Sequence, residues 1–143
     1  MDNNRALNYL ALGKKGRLIE LGEEPVGAVA RAVKARLVVV ASDASDHTWR
    51  RAKSFVAGTN QQCVRVPFTK DEMGFVIGRT SLAIAAFTDP AMALAFVKAL
   101  NGDHAEVQAA LEERTKRIRQ RQSEEKAHQR NKRVGKPHRP IKK

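Results

Sequence analysis

The sequence predicts an α/β fold: a three-layer α/β/α sandwich around a four-stranded, largely parallel sheet, followed by a basic C-terminal extension. Three observations carry this expectation. Short apolar runs alternate with capped, amphipathic helical stretches over the first hundred residues, the pattern of a sheet covered on both faces. Two runs, Leu37-Val38-Val39-Val40-Ala41 and the stretch from Leu82 to Phe87, are apolar throughout, as strands buried on both sides are. The formal charge of +12 over 143 residues is crowded into one end of the chain. The length suits one domain with one core. Hydrophobic residues at 42%, with only 9 Gly and 5 Pro, exclude a fully disordered or collagen-like chain.

The elements follow in order. Asp2 or Asn3 caps a helix over 4–14, with Leu7, Leu10 and Ala11 on one face and Gly13 and Gly16 at its end. A short strand is expected over 17–21. Gly22-Glu23-Glu24-Pro25 opens a second helix: acids suit its positive end, and proline is tolerated in a first turn. Val26, Val29, Ala30 and Val33 form its apolar stripe. The strand over 37–41 comes next. Ser42-Asp43-Ala44-Ser45 opens a helix over 45–57 that turns Trp49, Ala52, Phe55 and Val56 inward, until Gly58 and Asn60 stop it. A short strand over 63–66 closes at Pro67. Thr69 and Glu72 form a capping box for a helix ending by Gly78. The strand over 82–87 follows. Thr88-Asp89-Pro90 starts a helix to about Leu100, which Asn101-Gly102 terminates.

The domain is expected over 1–102 and the extension over 103–143. The pairs Glu112–Lys116 and Glu113–Arg117 favour a helix to about 133. Gly135, Pro137 and Pro140 predict disorder in the last nine residues. From Arg114 onward there are 13 Lys plus Arg and 2 acids, against 14 and 13 in the residues before it. The body is nearly neutral and the tail carries the excess. Such a tail points to a polyanion. Its cations Arg114, Lys116, Arg117, Arg119 and Arg121 suit phosphate contacts, and Arg outnumbers Lys seven to six. No aromatic interleaves them, which argues against base stacking by this segment.

Several residue groups invite sharper readings that the chemistry does not favour. Asp43, Ser45 and His47 are triad residue types, but triads assemble across a fold rather than within five consecutive residues. Glu23 and Glu24 are explained by the helix dipole. The four histidines lack metal-ligand spacing, and the lone Cys63 excludes an internal disulfide framework and reads as a small buried apolar residue. Gly74 and Gly78 lack the Gly-Lys-Ser/Thr ending of a phosphate loop and read as close packing and a helix stop. No enzyme and no cofactor are expected. Without a basic leader or a long apolar segment near Met1, the expected location is cytoplasmic and off the membrane.

Four stretches in register resemble one family: Gly16-Arg17-Leu18 with Leu21-Gly22-Glu23-Glu24-Pro25-Val26; the run from Lys34 to Ser45; Thr69 to Gly74 with Ile77-Gly78-Arg79; and Ala83 to Asp89. Together they resemble the ribosomal protein L-seven-Ae family of kink-turn RNA binders, most closely its short bacterial ribosome-associated members. The resemblance covers about residues 5–100. It implies a sandwich that grips structured RNA with two loops. The first would be 21–25, with Gly22, Glu23 and Glu24 at a helix N-terminus. The second would be 78–81, with Arg79, Thr80 and Ser81 offering a charge and two hydroxyls. Lys14, Lys15 and Arg17 adjoin the first loop in sequence and divide evenly between phosphate contacts and a solvated basic turn. The chain departs from the strong kink-turn pattern: Glu24-Pro25 stands at an Asn-Glu pair, and Ala28 at a lysine.

The function expected is a non-enzymatic, ribosome-associated RNA-binding protein, a monomer whose partners are RNA and candidate neighbouring ribosomal proteins. The alternative is a protein-interaction module of the same fold with the tail as a polyanion anchor.

Overall fold

A computed structural model describes residues 3–100 and 104–135. Its elements run α1 (Asn3–Gly16), β1 (Ile19–Leu21), α2 (Glu23–Arg31), β2 (Leu37–Val40), α3 (Asp46–Val56), β3 (Gln62–Arg65), α4 (Lys70–Val76), β4 (Ile84–Phe87), α5 (Pro90–Ala99) and α6 (Ala105–Gly135). The expected disorder over 135–143 falls, apart from Gly135, outside the described residues, as does the expected helix stop at Asn101-Gly102.

The four strands form one sheet in the order β1-β4-β2-β3. β2 and β4 are buried at every position, so both faces of the sheet are covered. α1 packs with α4 and α5, and α2 packs with α3, which gives the two outer layers. The core joins them through Leu10, Val26, Leu37, Val39, Phe68, Phe87 and Phe96. The Phe87 and Phe96 rings lie 5.0 Å apart and Phe68 meets Phe96 edge-on at 6.4 Å, offset geometries that aromatic pairs prefer.

The sheet is mixed, which corrects the expectation of a largely parallel one. Only β2 and β3 run parallel; β4 is antiparallel to both its neighbours. The reason lies in the connection from β3 to β4. Arg65 at the end of β3 and Ile84 at the start of β4 both sit opposite Val40, so the chain re-enters the sheet at the end where it left. α4 has seven residues, about 10 Å of helix at ~1.5 Å each, and does not carry the chain back along the sheet. Hydrogen bonds hold the connection at this end: Val66 N to Val40 O (2.9 Å), Ser42 N to Phe68 O (2.8 Å) and Ala41 N to Ala83 O (2.9 Å).

Capping reads through well. Ser45 accepts from Thr48 N, Asp89 from Met92 N, and Thr69 with Glu72 closes the capping box. Gly13, expected to end α1, lies inside it. There it lets the helix approach β1, since a Cβ would sit 3.2 Å from Ile19 Cβ. The helix ends at Gly16, as expected, and Arg17 with φ 60° turns the chain so that Leu18 N bonds Gly13 O at 2.8 Å.

The chain divides into two compact units between Glu112 and Glu113. The first holds the sandwich and the start of α6, with Leu111 in the core. The second is helical through Gly135, and among its described residues α6 shows no apolar stripe.

Candidate functional site

The two loops singled out from sequence both lie near the start of β4. Gly22 N donates to Ile84 O at 3.0 Å, which fixes the 21–25 loop beside the first residue of β4. Gly22 adopts φ 99°, a conformation that favours glycine, so the strand turns directly into α2. The 78–81 loop approaches from the other side. It runs back along the flank of α4, with Arg79 N bonded to Gly74 O (2.8 Å) and Leu82 N to Lys70 O (3.0 Å). Gly74 permits this course: a Cβ there would lie 2.6 Å from Ser81 Cα and 2.9 Å from Arg79 O. Arg79, Thr80 and Ser81 are all exposed on this tightly held loop.

The last turn of α1 adds positive charge beside the second loop. Lys14 Nζ donates to Ile77 O at 2.6 Å, closing the C-terminal end of α4 where a cation is favoured. Its ammonium keeps two further donors. Lys15 and Arg17 are exposed. Lys14 and Lys15 thus stand next to the 78–81 loop, although sequence order associates them with the 21–25 loop.

The first loop is acidic but partly neutralised. Glu23 forms an ion pair with Arg51 of α3, and Glu24 is exposed. Arg51 also lies over the Phe55 ring at 5.2 Å, so the guanidinium is held from two sides. A depression here is lined by Glu23, Glu24, Gly27, Ala28, Arg31 and Arg51. Sequence reasoning missed Arg31 and Arg51, because the pairing of α2 with α3 is a tertiary contact with no local signal. Asp43, read from sequence as part of the opening of α3, instead accepts at Oδ1 from Lys70 N at 2.8 Å and ties the loop after β2 to the start of α4.

The tail cations stand on the second unit. Lys116, Arg117, Arg119 and Arg121 are exposed on α6 and Arg114 is half-buried. Arg117 Nε lies 3.1 Å from Glu113 at helical i, i+4 spacing. Among the described residues no group of three or more His, Cys, Asp or Glu could hold a metal ion, and no helix is long and apolar enough to cross a membrane. Cys63, read as buried, is half-buried on β3, and burial pushes its thiol up to about 12 from 9.0 against the opposing effect of Lys53.

No family model and no curated protein matches the sequence. Solved structures do match the fold. A protein of unknown function from Bacillus halodurans is 20% identical, with a TM-score of 0.63 over 68% of this chain and 98% of its own. The Giardia lamblia 15.5kD RNA binding protein is 17% identical, with a TM-score of 0.59 over 75% of this chain and 88% of its own. At these identities the likeness is one of fold: the chain shares its sandwich with an RNA-binding protein.

Proposed function

We propose that this chain is a non-enzymatic RNA-binding protein of the kink-turn-binding kind, associated with the ribosome. One observation carries the reading. It shares its fold with the Giardia RNA-binding protein, and its 21–25 and 78–81 loops both lie near the start of β4, with Lys14 bonded at the entry to the second. The first turn of α2 and the exposed Arg79, Thr80 and Ser81 are the kinds of donor that suit RNA phosphates. The tail contributes phosphate contacts that depend on salt rather than sequence.

Gel-shift titration of the full chain tests this with a kink-turn RNA and an unkinked duplex of equal length. Tighter binding to the kinked RNA is expected. Equal binding to both refutes kink recognition, and binding to neither refutes the RNA-binding reading. Cosedimentation with ribosomal subunits tests the ribosome association.

A second reading is a protein-interaction module. Exposed Glu24 and Ala28, which line the depression at α2, and the exposed Pro25 between them favour it. Under that reading, Arg79→Ala leaves RNA binding unchanged and Glu24→Lys disrupts a protein complex.

A further inference from the structure

A groove between α1 and α4 lies outside both RNA loops. Ala11, Leu12, Lys14, Lys15, Val76 and Ile77 line it, enclosing about 380 Å³. Its floor is apolar and two ammonium groups stand on its rim. No carboxylate lines it. Among the described residues the exposed large hydrophobics are Leu12 at 50%, Val33 at 47% and Phe75 at 83%. Leu12 lines this groove, and Phe75 stands immediately before Val76 on α4. Leaving a phenylalanine ring almost wholly in water is costly, and exposed apolar groups gathered beside cations mark a binding surface.

We propose that this groove takes a single unstacked RNA base, with the phosphates flanking that nucleotide on Lys14 and Lys15. The proposal rests on the RNA-binding reading and adds a subsite to it. Charge complementarity selects the occupant, since the rim is cationic without any acid. Size agrees: a stable protein partner needs roughly 800 Å² on each side, and six residues of which Leu12 alone is an exposed large hydrophobic do not supply it. Continuity agrees as well. Lys14 Nζ bonds Ile77 O, and the position a Cβ would take on Gly78 lies 3.9 Å from Lys14 Nζ, so the groove opens beside the loop that carries Arg79. RNA leaving the two loops past Arg79 reaches the groove next. A flat base against Leu12 and Val76 would replace water on apolar surface, and Phe75, next to Val76 on α4 though not in the lining, is the exposed aromatic on which such a base would stack irrespective of its identity.

The test uses the full chain and two RNAs, a blunt kink-turn hairpin and the same hairpin with a four-uridine single-stranded overhang. The overhang should tighten wild-type binding by about five-fold or more, the lower range of stacking on one aromatic. Leu12→Ser and Phe75→Ala should remove that gain and leave the affinity for the blunt hairpin unchanged. Phe75 is exposed enough that its replacement does not threaten folding, which guards against a Leu12 variant that misfolds. A 4-thiouridine in the overhang should crosslink to the peptides holding Leu12 or Val76. Equal wild-type affinity for the two RNAs overturns the proposal, as does a gain that survives both substitutions. A photo-crosslinker at Leu12 that captures a protein and no RNA in cells also overturns it. Failure to bind the blunt hairpin at all is a separate result and refutes the RNA-binding reading itself.

Discussion

Replacing Gly74 with alanine should destabilise the body and loosen the 78–81 loop together. Alanine is the better helix former by about 1 kcal/mol, so on propensity alone the change would stabilise α4. The added Cβ, however, would lie 2.6 Å from Ser81 Cα, 2.8 Å from Ser81 N and 2.9 Å from Arg79 O. All three are backbone atoms, so no side chain can swing away. Reaching ordinary contact at 3.4 Å requires the loop to move by about 0.8 Å. Overpacking of this kind costs about 1–3 kcal/mol. The bonds from Arg79 N to Gly74 O and from Leu82 N to Lys70 O lie across the same gap, at about 1 kcal/mol each if they break. The net loss is about 1–3 kcal/mol. With a urea m-value of about 1–3 kcal/mol/M, the midpoint should fall by roughly 1 M. RNA affinity should fall with it, because Arg79, Thr80 and Ser81 move. Gly58→Ala is the control: its φ of 75° strains alanine, but nothing lies within 4 Å of the new Cβ. That variant should lose about 1 kcal/mol and keep its RNA affinity. A Gly74→Ala midpoint at or above wild type would refute the reasoning.

Thr69→Ala removes the capping box of α4 and should cost about 0.5–2 kcal/mol in a urea melt, with Ser restoring most of it. Val33 holds φ 57° at an exposed turn, a conformation costing an L-residue roughly 1–2 kcal/mol, so Val33→Gly should raise the melting midpoint. Converting Arg114, Lys116, Arg117, Arg119 and Arg121 to Gln should lower the log–log salt slope of RNA binding by up to roughly four units, at ~0.7–0.9 per phosphate contact; an unchanged slope would remove the tail from the interface. The Cys63 thiol stays protonated in the fold up to about 12, so the folded state loses relative stability as pH rises from 9.0 towards that value. A denaturation series over pH 8–11 should therefore show a steeper decline for wild type than for Cys63→Ala.

The local features were legible in the sequence because their causes are local. Thr69 with Glu72, Ser45 and Asp89 announce three helix starts through caps that act within one turn. The unbroken apolar runs around Val39 and Ala85 announce the two buried central strands. Strand direction was not legible. It depends on where a seven-residue helix leaves the chain, and nothing in the residues over 66–83 states that Arg65 and Ile84 will share Val40 as a neighbour. The same limit applies to the site. Each loop could be found by its glycine and its flanking helix, but the bond from Lys14 to Ile77 joins residues 63 positions apart, and the ion pair of Glu23 with Arg51 crosses between helices.

The place of β4 in the sheet also has a consequence for synthesis. β1 pairs with β4 alone, and β4 is the last of the four described strands in chain order. During translation only the parallel β2–β3 pair can form early. β1 waits through some sixty residues for its partner, while one long side of β2 offers unpaired N–H and C=O groups. A nascent chain stalled before Ile84 would carry that open edge, Val38 and Val40 included, and open edges template pairing with other chains. Completion of a four-residue strand thus joins β1 to the sheet and covers the open side of β2.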